Sequence, residues 1–178
     1  MEITSPAFQP NATIPAANTC DGPGTNPELH VTGVPPAAKS LALIVFDPDV
    51  PKALKADGRY LHWALWNLPA TTTTIEENRG GGLSENGRAG WIPPCPPNGE
   101  HRYVFQVFAL DGSLGDAKIS NEAELRHAME GHTIEQAELV GRYTGRTSNQ
   151  LNFIFAAIAV VVVAALVYRF IGGRAVRS

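Results

Sequence analysis

Basic residues are scarce in this chain of 178 residues: 14 Lys and Arg stand against 17 Asp and Glu, a net charge of −3. Three of the 14 lie in residues 151–178, which hold no acid, so residues 1–150 carry 11 bases against 17 acids, a balance of −6. Such a domain has no basic face with which to displace counterions from phosphates, which excludes a general nucleic-acid partner. Only two cysteines are present, too few for a disulfide-dense scaffold or a four-Cys zinc site. The start, MEITSPAFQPNATIP, shows no basic stretch followed by an apolar one, so no signal peptide is visible. Missing too are a G-x-S-x-G elbow, an H-E-x-x-H pair, and any dinucleotide or phosphate-loop glycine motif.

What the chain does have is enough apolar residue, 44%, to bury a core. Fourteen Pro and 17 Gly point to many turns and few long helices. One apolar run stands apart. Residues 153–167 are unbroken in apolar character, and Leu151, Tyr168, Phe170 and Ile171 extend the run to about 20 residues, enough to cross roughly 30 Å of hydrocarbon as a helix. The expectation is a single-pass transmembrane helix over 151–171, anchoring the protein in a membrane. Arg169 lies near its end, Arg174 and Arg177 follow it, and together they favour a cytoplasmic C-terminus, whereas the missing signal peptide favours a cytoplasmic domain. The two signals point opposite ways. The expected organisation is a ligand-binding domain over 1–146, a linker over 147–150, the span, and a basic tail over 172–178.

Within the domain, residues 1–40 are rich in Pro, Asn, Thr and Gly and read as turns and short edge segments. Strands are expected at SLALIVFDPD (40–49), YLHWALWNLP (60–69) and HRYVFQVFAL (101–110), with Tyr103, Phe105 and Val107 on one face of the last. The loops GGGLSENGRAG and IPPCPPNG are long enough to carry function. One helix is expected over 121–140, capped by Asn121, with Leu125, Met129 and His132 at helical spacing and Gly131 interrupting it. Strands first and a late helix give a mainly β domain with few peripheral helices.

Three clusters carry chemistry. Asp47 and Asp49 sit two residues apart at a strand end, with Pro48 and Pro51 stiffening the turn. His62 and Trp63 interrupt an apolar strand. The stretch PPCPPNGEHRY makes a proline wall around Cys95 and delivers His101 and Tyr103 to one face of a strand. Two carboxylates, two imidazoles and a phenol on stiff strand ends form a polar cavity that three chemistries could use. The imidazoles and the phenol could donate to a phosphate-like anion while the carboxylates orient them. Asp and His could ligate a divalent ion. An Asp–His pair, Asp49 with His101, could activate water in a small hydrolase, with or without a metal. No catalytic residue, cofactor or metal is assigned.

DPDVP, then HWALWNLP, then NGRAGWIPPCPPNGEHRYVFQVFALD, in that order, resemble the phosphatidylethanolamine-binding protein family, including the Raf kinase inhibitor protein and its bacterial and archaeal relatives. The resemblance runs from about residue 14 (IPAANTCDG, then NPEL) to 146, including AMEGHTI and LVGRYTGR. It implies a β-sandwich built around a large antiparallel Greek-key sheet, with a small anion pocket at one end. The pocket residues it implies are Asp47, Asp49, His62, Pro94, His101 and Tyr103, supported by Trp63, Pro51, Trp91 and Cys95. Ligands would be phosphate or phosphorylated headgroups, and the role a regulatory or inhibitory one towards a kinase or protease. Trp91-Ile92-Pro93-Pro94 departs from the family's Tyr-x-Gly-Pro and removes a backbone donor from the rim. A bond between Cys20 and Cys95 would suggest a non-cytoplasmic face for the domain.

Overall fold

Seven strands, one α-helix and two short 3-10 turns are found in the computed structural model, which describes residues 1–115 and 118–145. The strands are β1 (Glu2–Thr4), β2 (Leu29–Thr32), β3 (Ser40–Asp47), β4 (Tyr60–Pro69), β5 (Thr74–Ile75), β6 (Glu100–Leu110) and β7 (Thr133–Thr144). The helix α1 spans Glu122–Met129. Strands β4-β3-β6-β7 make an antiparallel four-stranded sheet, and β1-β2-β5 a smaller three-stranded one. The large sheet is two hairpins set side by side, β3–β4 and β6–β7, joined through neighbouring β3 and β6. Its order is therefore not the Greek-key order that the family resemblance implies.

Burial explains the order. All eight residues of β3 are buried, as a central strand covered on both faces must be, and its run of Leu, Ile, Val and Phe satisfies that. Alternate residues feed two cores. On one face Leu41, Leu43 and Val45 join Trp63, Phe105, Val107, Leu29 and Val31, filling the space between the sheets. On the other, Ala42, Ile44 and Phe46 meet Val104, Phe108 and Leu83, with Leu125 and Met129 of α1.

The helix stops earlier than its spacing suggests. Asn121 does cap it, accepting from the Glu124 N–H at 2.9 Å. Gly131, at φ 77°, turns the chain into a left-handed conformation that suits glycine. From Thr133 the chain pairs with β6 along its full length, so residues 133–140 are strand rather than helix. His132 lies outside the helix and pairs with Asp111 at 2.8 Å. The segments read as turns near the start include two short strands, β1 and β2.

Among the described residues no helix is long and apolar enough to cross a membrane. That corrects the expected single-pass membrane protein, and with it the fold that included a transmembrane helix. The segment assigned to that span, 151–171, the linker 147–150 and the tail 172–178 lie outside the described residues. Residues 1–145 form one compact unit.

Candidate functional site

At the end of β3 the apolar run gives way to Asp47, a residue only 3% exposed. A buried charge needs partners, and Asp47 has two. Its Oδ2 accepts from Nδ1 of His101 at 2.7 Å, and its Oδ1 from the backbone N–H of Asp49 at 2.7 Å. The second bond is an Asx turn, in which the carboxylate shapes the loop that leaves β3. His101, also buried, stands at the start of β6, and period two carries Tyr103 to the same side.

His62 reaches this side through an irregularity. Val45 pairs with Trp63, but the next residue, Phe46, pairs with Leu61, which leaves His62 as the extra residue of a β-bulge. A bulge re-aims side chains. Leu61 therefore faces the helix-side core and Trp63 the inter-sheet core, where simple alternation would place both on one face. The His62 ring lies 5.1 Å from those of Tyr60 and Tyr103 and 6.1 Å from that of Trp91. Its Nδ1 is 2.7 Å from the Ile92 carbonyl. A carbonyl only accepts, so Nδ1 carries the proton. Burial holds the pKa of His62 below the ordinary histidine value, keeping the ring neutral.

These side chains border a cavity of about 530 Å³ lined by Asp47, His62, Tyr103, Tyr60, Cys95 and Pro93, with Lys55, Glu85 and Asn86 closing one side. Tyr103 is fully buried, and its hydroxyl has no hydrogen-bond partner among the described residues. Burial and the nearby Asp47 push its pKa far up, so it remains a phenol and a donor. Lys55 is committed to Glu85 at 3.0 Å and Asp57 at 3.5 Å.

Asp49 lies elsewhere. Arg102 takes it in a bidentate grip, Nε to Oδ2 at 2.9 Å and Nη2 to Oδ1 at 2.7 Å, on the exposed side of β6. That guanidinium holds the Asp49 carboxyl below the usual carboxylate range. The structure thus brings Asp47, His62 and Tyr103 together in the cavity lining, with His101 bonded to Asp47 but itself outside that lining, and leaves Asp49 outside it as well. Pro94 is not among the lining residues either; its carbonyl accepts from the Cys20 N–H at 3.0 Å. Cys95 bonds to Cys20, tying the proline wall to the N-terminal segment. Pro51 accepts from Leu54 and Lys55 and folds the rim loop. Trp63 is fully buried and donates to the Gly81 carbonyl at 3.0 Å, while Trp91 stacks on Phe105 behind the cavity. Sequence reading missed Tyr60, Lys55 and Glu85. Tyr60 was within reach, two residues before His62 in an aromatic strand; Lys55 and Glu85 lie in loops without periodicity. No group of three or more His, Cys, Asp or Glu is placed to hold a metal among the described residues.

A family model described as phosphatidylethanolamine-binding protein matches residues 4–144. The chain belongs to the phosphatidylethanolamine-binding protein family. It is 46% identical over 147 residues to a UPF0098 protein of Chlamydia pneumoniae, covering 80% of this chain and 98% of that protein. A UPF0098 protein of Methanothermobacter thermautotrophicus is 38% identical over 153 residues, with the same coverage of 80% and 98%. Among solved structures, the family homolog CT736 from Chlamydia trachomatis superposes with a TM-score of 0.78 at 40% identity, covering 82% of this chain and 97% of that one. YbcL of E. coli, described as a member of the mammalian family, gives a TM-score of 0.71 at 27% identity, covering 82% and 98%. Membership in this family supports a general binding-protein role.

Proposed function

We propose that the cavity binds a small phosphate-bearing group, and that the protein acts through that binding and not through turnover. The observation that carries this reading is the Tyr103 hydroxyl, a buried donor left unpartnered on the cavity wall beside Asp47 and His62. A buried unmade hydrogen bond costs about 1–3 kcal/mol, a cost that an incoming phosphate oxygen would remove. The Asp47–His101 pair holds the neighbouring groups in place for that ligand. Leu54 lines the cavity yet is 68% exposed, so a partner protein docking at the rim would meet an apolar side chain next to the ligand. In this reading the occupant regulates contact with such a partner, a kinase or protease, as the family resemblance implies.

The test is calorimetric titration of phosphate and phosphoethanolamine into the protein, its Tyr103→Phe variant and its His101→Ala variant. Tyr103→Phe removes no hydrogen bond from the unliganded protein, so its thermal midpoint should not fall. Affinity should drop about 10- to 100-fold, the share of one hydrogen bond to a charged group. His101→Ala should abolish binding. Affinities unchanged in both variants would remove the cavity from consideration.

A further inference from the structure

The cavity lining is poor in side-chain donors. Pro93 and Pro97, which line the cavity, have no backbone N–H to offer. His62 donates through Nδ1 to the Ile92 carbonyl, so the Nε2 of its neutral ring is a lone pair. Asp47 offers carboxylate oxygens, and His101, which donates to it through Nδ1, is not among the lining residues. Lys55, the one cation in the lining, is held by Glu85 and Asp57 and also donates to the Arg59 carbonyl. The remaining side-chain donors are the hydroxyls of Tyr103 and Tyr60 and the amide of Asn86, of which only Tyr103 is buried. Fixed charge in the lining is Asp47 and Glu85 against Lys55, an acidic balance that repels a dianion.

An anion that enters must therefore bring a hydrogen of its own. Resting on the phosphate reading of the cavity, we infer that it selects a phosphate monoester in its singly protonated form, whose P–O–H donates to His62 Nε2 or Asp47 while a second oxygen accepts from Tyr103. The complex holds one proton that neither His62 nor a doubly ionised ester carries when apart. His62 is thereby the residue that sets specificity, as a neutral acceptor. Asp47 from β3, Tyr60 from β4, His101 and Tyr103 from β6, and Lys55 and Glu85 from the flanking loops are the titratable groups around it.

Methyl sulfate isolates the hydrogen from the charge, since it matches singly ionised methyl phosphate in shape and charge but has no O–H. Titration of both probes into the full chain at pH 6 should show methyl phosphate binding tighter by about tenfold or more. Its affinity should then fall about tenfold per pH unit above about pH 6, where the ester loses its second proton. Equal affinity for the two probes, or an affinity for methyl phosphate that does not fall with pH, would overturn the inference while leaving the phosphate reading intact. Failure of both probes to bind would remove that reading and this inference together.

Discussion

His62 shows how a single position acquires a role from its surroundings. The residue is 4% exposed and its ring neutral, with Nδ1 tied to a carbonyl and the side chain in the cavity lining. Because burial lowers its folded-state pKa, the unfolded chain takes up a proton first as pH falls. The folded state therefore binds fewer protons between the ordinary histidine value and its own lowered one. Stability should decline below about pH 6.5, by up to about 1.4 kcal/mol per pH unit, and stop declining once the folded-state pKa is passed. Urea unfolding of the protein and a His62→Gln variant across pH 7 to 5 would measure this. The variant should lose that part of the slope, and an identical slope in both would assign the effect to other groups. Asp49 has the same sign at lower pH: its pKa is lowered by Arg102, so its contribution is present above the ordinary carboxylate value and lost in more acid solution. With Arg102 half exposed, that contribution is small.

At the scale of elements, the edge of β4 decides how the cavity is closed. Leu83 exchanges backbone hydrogen bonds with Ala64 at 2.7 and 2.9 Å, so the glycine-rich loop closes an edge that would otherwise be open. Gly82 permits this. It has φ +81°, and a Cβ there would lie 2.4 Å from the Ala64 carbonyl oxygen and 2.7 Å from a Leu65 methyl. Gly82→Ala should cost about 2–4 kcal/mol, combining the left-handed penalty with overpacking. A denaturant midpoint shifted by less than about 1 kcal/mol equivalent would mean that the loop moves aside. Both β4 and β6 owe their place to patterns visible in the chain: aromatic residues with a proline stop at Pro69 in β4, and in β6 an alternation that divides Phe105 and Val107 from Val104 and Phe108 between two cores. The helix was legible only to its first two turns. Nothing in the spacing of residues 133–140 competes with a full-length partner strand, and pairing with β6 overrode helical periodicity there.

For the molecule as a whole, the long-range tie is the disulfide. Cys20 and Cys95 are 75 residues apart in sequence, and their bond joins the N-terminal segment to the cavity wall. Closing a loop of that length should contribute about 4–5 kcal/mol by restricting the unfolded chain. Chemical denaturation with and without a strong reductant should show a loss of that order, accompanied by weaker ligand binding because the proline wall loses an anchor. Stability and binding unaltered by complete reduction would show that packing alone holds the wall. Nearby, the Tyr143 hydroxyl donates to Asp21, a second link between the last strand and the same N-terminal segment.

Local chemistry determined a good deal. Strands β3, β4 and β6, the faces of β6, the Asp47 turn, the proline wall and the order of family motifs all follow from residue type, period two and proline's fixed backbone. Of the candidate residues, Asp47, His62 and Tyr103 line one cavity, and His101 is bonded to Asp47. Tertiary structure alone decided the rest, because each remaining feature depends on groups distant in the chain. The bulge that turns His62 inward arises from the register between β3 and β4. The capture of Asp49 by Arg102 needs two strand ends side by side. The direction of the His62 proton is set by a carbonyl 30 residues away. A side chain's type is written in the chain, but what it donates, accepts or titrates as depends on which neighbours the fold places around it.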